Sequence, residues 1–252
     1  ALGKCEALRA WTDDRGLSVV LSKTGLGHSH PVKTLLKALI ALMPWFLRRR
    51  LLTACYGYEL HPSARIGLAW VYPKKLVMGP NTQIGHFTVC IHLDEGRLDD
   101  SALIGKGNWI TGFPSGHSRH FVHQPDRRPR LHVQAHAAVT HRHIIDCTAE
   151  IVIGAFSTIA GYRSQLLTHS IDPVAGRQSS ASILIGDHCF IGTNCVILGG
   201  ASLPPSSILG AASLLNKRHE TPCTLYGGVP AKPLKPLPPD AKYFTRTQGF
   251  VD

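Results

Sequence analysis

Histidine is the residue through which this sequence offers chemistry. Among the 15 in the chain, His117, His120, His123, His132, His136, His141 and His143 crowd one region. Another, His169, opens a polar stretch, THSIDPVAGRQSSAS, with Asp172 three residues further on. A neutral imidazole, with an ordinary pKa of about 6.5, takes up a proton readily near neutrality. A carboxylate on its other nitrogen fixes the tautomer and steadies the charge that develops. Asp172 is the simplest such partner by distance along the chain, and Asp146 or Glu150 serves equally if the fold brings it alongside. The crowded histidines invite a metal centre, with three of them on zinc and a fourth position open. His136 and His141 carry that alternative, but no spacing matches a firm ligand signature, so the primary reading requires no metal. The seven cysteines include no CxxC pair and no Cys-His constellation. They are expected to be reduced, mostly packed thiols of a cytoplasmic protein with no secretory leader.

The scaffold that must hold these groups shows itself most clearly between Ile185 and Leu215. Ile185, Ile191, Ile197, Leu203, Leu209 and Leu215 stand six residues apart, with mostly small residues between them. Six is neither the period of an α-helix nor that of an ordinary strand. It suits an all-β solenoid, a parallel β-helix whose short strands meet at tight corners and send one aliphatic inward per side. Ile66, Tyr72, Met78, Ile84 and Cys90 keep the step earlier in the chain. After a change of phase, Leu98, Ile104 and Ile110 resume it, followed by Val133, Val139, Ile145 and Ile151, and by Ile153 and Ile159. The pattern breaks at 113–131 and again at 168–182, and insertions in a repeat project as loops that carry sites. The organisation read from this is an N-terminal helical cap over 1–57, a β-helix over 58–215 with two excursions, and an irregular tail over 216–252, where Lys-Pro and Pro-Pro pairs forbid an internal strand.

Leu35, Leu36, Leu39, Ile40, Met43 and Leu47 recur at helical spacing, with Ser29-His30-Pro31 as a start and Pro44 as a break. Such a segment caps the open end of a solenoid. It can also give peripheral membrane contact through residues 35–50, with Trp45 and Phe46 in the surface and Arg48, Arg49 and Arg50 at lipid phosphates. The formal charge of +11 attracts anions in general. Basic residues are dispersed rather than interleaved with aromatics, so nucleic acid is excluded as a partner.

Three sets of residues carry a family resemblance: Ile185-Gly186-Asp187-His188 with Ile191-Gly192-Thr193-Asn194 and Ile197; Gly227-Gly228-Val229-Pro230-Ala231-Lys232; and LLTHSIDP from Leu166 to Pro173. Together they resemble the hexapeptide-repeat acyltransferases, which fold as left-handed β-helices, and most closely the CoA-dependent sugar and small-molecule O-acetyltransferases. The resemblance is strong over 133–235 and loose over 58–112. It implies a homotrimer, acetyl-CoA as co-substrate, and direct transfer to a sugar, glycan or glycosylated small molecule, as in polysaccharide biosynthesis, with His169 as general base and Asp172 or Asp146 behind it. It places the donor against Gly199, Gly200, Ala211, Ser213 and Lys217, with Arg218, Lys232 and Lys235 toward the phosphates. Trp109, Phe113, His141 and His143 are then candidates for the acceptor pocket. A metal-dependent hydratase of the carbonic anhydrase type and a non-enzymatic scaffold at a membrane surface are the alternatives. The sequence departs from the typical member at the histidine-bearing loop 113–131 and at Leu203-Pro204-Pro205.

Overall fold

The computed structural model describes residues 30–249. The first part of the expected cap, residues 1–29, and the last three residues of the tail lie outside that range. The chain divides after Met43. The first unit holds helix α1 (His30–Leu42), whose apolar residues Val32, Leu35, Leu36, Leu39 and Leu42 are exposed along one side. The helical pattern is interrupted at Pro44, as the fixed φ and missing N–H of proline require, and α2 (Trp45–Tyr56) follows.

The second unit is an all-β left-handed parallel β-helix. From Glu59 onward the chain visits three faces in strict rotation, so strands adjacent in a sheet are one full coil apart in sequence. Two of the sheets have seven strands and the third has nine. The six-residue period has its cause here. Each face needs one inward aliphatic per coil, and parallel in-register pairing sets that residue directly above its counterpart. On the first face Met78, Leu98, Val133, Ile153, Ile185 and Leu203 stack in register. On the second Ile66, Ile84, Ile104, Val139, Ile159, Ile191 and Leu209 do so. On the third the stack is Val71, Cys90, Ile110, Ile145, Leu166, Ile197 and Leu215. All of these are buried, which at about 1.5–3 kcal/mol per aliphatic makes the triangular core the main source of stability. In the first coil Val71, not Tyr72, pairs with Cys90. Tyr72 is buried as well, but its ring meets Trp70 and Tyr56.

Helix α2 closes the N-terminal end of the solenoid. Arg48 is 2 % exposed. Its guanidinium donates to the carbonyls of Gly67 and Ala69, the loose ends of the first coil, at 2.6 and 2.7 Å. Arg48 is therefore not at a lipid phosphate, since the charge is spent capping backbone carbonyls. At the other end the β-helix runs past Leu215. Thr224–Gly228 continues the second sheet, with Tyr226 above Leu209, and Ala231–Pro236 pairs antiparallel to it as the edge strand. Residues 216–223 are irregular as expected, but two strands follow, and the prolines of the second are tolerated because they lie on an edge.

The glycines after the inward aliphatics answer to coil spacing. A Cβ on Gly154 would stand 2.4 Å from the carbonyl carbon of Gly186 in the next coil. Corners at the junction of the first and second faces use left-handed backbone even at His136, Phe156 and His188 (φ 59, 58 and 55°), and these three rings form a continuous stack. At the junction of the second and third faces His143 is 1 % exposed. Its Nδ1 accepts from the Ser164 amide at 3.1 Å, and Nε2 is 3.1 Å from the Thr140 hydroxyl.

Two outcomes follow from this packing. Gly154→Ala forces two coils apart and should cost about 1–3 kcal/mol in chemical denaturation, as an overpacked core does. Burial, with the nearby His141, pushes the His143 imidazole down to about 4 from its ordinary 6.5. Between those values the unfolded chain binds a proton that the folded chain refuses, so stability present above pH 6.5 is lost as pH falls toward 4. The loss is on the order of 3 kcal/mol. His143→Asn, whose carbonyl can replace Nδ1 as acceptor, should be less stable at pH 7.5 yet show a flatter acid limb in urea titrations.

Candidate active site

Both excursions leave the solenoid at the same corner, where the third face hands over to the first. The first spans residues 112–129, between strands Trp109–Thr111 and Arg130–Val133. The second follows Gln165–Leu167 and returns at Ile183–Ile185. The sequence marks it only as a break, but it folds as an antiparallel hairpin, with His169–Asp172 paired to Arg177–Ser180 and His169 opposite Ser180. One coil separates the two excursions, and its corner is Asp146 to Glu150.

Thr168 ties the hairpin to that intervening corner. It is fully buried, and its hydroxyl donates to the Asp146 carbonyl (2.7 Å) and accepts from the Ala149 amide (2.9 Å). The next residue, His169, therefore emerges beside Asp146, with Nδ1 3.9 Å from Asp146 Oδ2. The other carboxylate oxygen, Oδ1, accepts from the Thr148 amide and hydroxyl at 2.8 and 2.6 Å, which holds the group in place. The opposite ring nitrogen, Nε2, is shielded from solvent and has no protein hydrogen-bond partner.

The structure does not bring Asp172 to His169. Its Oδ1 accepts from the amides of Val174 and Ala175, both at 3.1 Å, so it closes the hairpin turn as an aspartate before proline commonly does. Glu150 is paired with Arg130 at 2.8 Å. Asp146 is the carboxylate alongside.

The first excursion packs against both partners. Phe121 meets the His169 ring edge-to-face at 5.5 Å. Arg127 stacks over Phe121 at 4.2 Å and donates to the carbonyls of Phe113, Pro114 and Thr148. Burial pulls the Arg127 pKa below the usual guanidinium value, while Asp94 and Asp146 oppose that shift. Gln124 lays its side-chain amide along Ser180, donating to its carbonyl (2.9 Å) and accepting from its amide (3.2 Å) as an added strand would. Phe121, Gln124, Arg127 and Thr148 carry no sequence signal that distinguishes them from other loop residues.

The remaining candidates fall elsewhere. His143, bonded at both nitrogens inside the coil, is not placed to meet an acceptor. His141 lies at the same junction of second and third faces, a strand's length from the His169 corner, and its Nδ1 accepts from the Lys106 amide. Trp109 is exposed at that end of its strand. Phe113 begins the first excursion and touches Phe121 at 5.4 Å. The amides of Gly199 and Gly200 donate within the solenoid, to Leu167 and Ser182. A Cβ on Gly199 would meet the carbonyls of Thr168 and Ala181 at 2.9 and 3.0 Å, so this glycine admits the base of the hairpin. Ser213 is buried and accepts from Gly228. Ala211, Lys217, Arg218, Lys232 and Lys235 are exposed. Cys147, next to Asp146, is fully buried and its thiol is pushed well above the ordinary value by burial. His136, which with His141 carried the zinc alternative, stacks on Phe156. Among the described residues no three metal-ligating side chains converge.

No protein-family profile matches the sequence. Among solved structures, the polysialic acid O-acetyltransferase OatWY superposes with a TM-score of 0.52 at 18 % identity, covering 71 % of this chain and 84 % of that one. The hexapeptide-repeat acetyltransferase VCA0836 from Vibrio cholerae gives 0.40 at 21 % identity, with 81 % and 87 % covered. AntD, an N-acyltransferase from Bacillus cereus solved with dTDP and coenzyme A, gives 0.48 at 13 % identity over 78 % and 92 %. At such identities the likeness concerns architecture alone, and this chain shares its fold with OatWY.

Proposed function

We propose that this chain is a CoA-dependent O-acetyltransferase that moves the acetyl group of acetyl-CoA onto a hydroxyl of a sugar, glycan or glycosylated small molecule. The observation that carries the reading is His169, whose Nδ1 faces Asp146 Oδ2 at 3.9 Å and whose Nε2 is left without a protein partner. An acceptor hydroxyl gives its proton to Nε2 as its oxygen attacks the thioester carbonyl. The C–S bond then breaks, and the CoA thiolate departs with the proton returned by the imidazolium. Asp146 steadies that imidazolium, and the transfer is direct because the nearby thiol of Cys147 is buried and protonated. The low identity to OatWY supports the fold only, so the acetyl-transfer chemistry rests on the site.

The donor runs along the C-terminal coils, where the exposed cations Lys217, Arg218, Lys232 and Lys235 meet its phosphates. The carbonyls and small surfaces of Gly199, Gly200 and Ala211, rather than the spent glycine amides, face its pantetheine arm. A homotrimer, as the family resemblance implies, would supply the groove between adjacent solenoids. No helix among the described residues is long and apolar enough to cross a membrane. The exposed apolar side of α1, with Lys33 and Lys37 on the same helix, suits peripheral contact with an anionic bilayer.

Purified chain incubated with acetyl-CoA and a broad set of glycoside acceptors should release thiol. His169→Ala should lower turnover by roughly 10²–10⁴-fold with little change in acetyl-CoA binding. Asp146→Asn should lower it by a smaller factor, and Asp172→Asn should leave it near the parent value. Undiminished thiol release by His169→Ala, or an Asp172→Asn defect larger than that of Asp146→Asn, would refute the assignment.

A further inference from the structure

The first excursion encloses a cavity of about 410 Å³ whose walls include His117, His120, Phe121, Val122, Gln124 and Arg127. We infer that this cavity is the acceptor subsite and that it takes a pyranose ring. The inference rests on the acetyl-transfer reading for which hydroxyl reacts, although binding itself does not depend on that reading.

The size lies within the range of small-molecule pockets. Its position connects it to the chemistry, because Phe121 forms part of the wall and also packs against the His169 ring. The lining matches a pyranose in kind: Val122 offers apolar surface for a C–H face, while His117, His120 and Gln124 offer polar edges for hydroxyls. Val122 is 65 % exposed, so its side chain is open to a ligand. The His117 tautomer is fixed by its neighbours. Nδ1 accepts from the amides of Arg119 and His120 at 3.3 and 3.4 Å, so the neutral ring carries its proton on Nε2, which is free to donate. Phe113 meets His117 and His120 edge-on at 5.0 and 5.3 Å and keeps the two imidazoles together. Arg127 makes the wall rigid, since it grips Phe121 from above while bonding three carbonyls. Preorganised walls of this kind reduce the ordering cost of binding a small, weakly held ligand.

The test is titration of the full chain, without acetyl-CoA, with methyl glucoside, galactoside, mannoside and N-acetylneuraminoside, followed by the imidazole ¹H–¹⁵N resonances. The expected result is a saturable shift of the His117 and His120 signals by at least one pyranoside. His117→Ala should weaken that binding by about tenfold, the worth of one hydrogen bond to a ligand hydroxyl. Val122→Trp, at an exposed position, should block it without disturbing the core, and His169→Ala should leave it intact. In the thiol-release assay, both cavity variants should raise the acceptor KM while leaving the acetyl-CoA KM unchanged. Absence of any shift at up to about 100 mM pyranoside, or equal affinity in the His117→Ala and Val122→Trp chains, would overturn the subsite. Pyranoside binding here with no thiol release would instead refute acetyl transfer and keep the subsite. Transfer with an unaltered acceptor KM in both variants would do the reverse.

Discussion

Successive coils of this solenoid lie one strand spacing apart, close to 4.8 Å, and that proximity governs everything built on it. A side chain placed where two coils touch has nowhere to go, as the 2.4 Å separation between a Cβ on Gly154 and the backbone of Gly186 makes plain. The corners must turn within a few residues, so the backbone enters the left-handed region even at Phe87, Phe156 and Ala212. Each such non-glycine residue costs roughly 1–2 kcal/mol, which three continuous aliphatic stacks offset. A segment that cannot lie flat in a coil has one way out, sideways at a corner.

That geometry accounts for the site. Both excursions leave where the third face meets the first, separated by a single coil, and so they are forced into contact. Gln124 joins the hairpin at Ser180, Phe121 packs on His169, and Arg127 reaches Thr148, whose amide and hydroxyl hold Asp146. The His169 ring is thus fixed from two sides by groups that share one guanidinium. Neither excursion alone could do this, because a polar hairpin of this length has no core of its own.

Much of the scaffold was legible because one requirement repeats. An inward aliphatic every six residues states the period, and small residues between state the corners. The reading slipped at Tyr72, where Val71 and Tyr72 are both buried and spacing alone cannot say which of them faces the axis. At the tail the prolines ruled out an internal strand, and Ala231–Pro236 is an edge strand that needs no such donor. The candidate site was legible in part. His169 stood out by its place at a break, but the choice between Asp172 and Asp146 depended on which carboxylate the hairpin turn would claim. The run Asp126-Arg127-Arg128-Pro129-Arg130 shows the limit. Three like residues in a row of five take three fates, as Arg127 clamps carbonyls, Arg128 lies in solvent and Arg130 pairs with Glu150. Only the fold distinguishes them.

The 3.9 Å gap between His169 Nδ1 and Asp146 Oδ2 bears on how the proposed reaction would work. It exceeds hydrogen-bond range by somewhat under 1 Å. A carboxylate beside the ring stabilises the imidazolium more than the neutral imidazole, so the interaction is worth most where charge has developed. Here the carboxylate is anchored through Oδ1 to Thr148, while Oδ2 faces the imidazole with room to close. As Nε2 takes the acceptor proton, the ring gains positive charge and the attraction to Asp146 rises steeply in a partly buried setting. In the proposed reaction the contact would tighten when charge develops, the differential binding that lowers a barrier. Thr148 has a second part in this, because its carbonyl is held by Arg127 and cannot follow the motion. In the proposed reaction the closing step would therefore fall to the histidine and its hairpin rather than to the corner beneath.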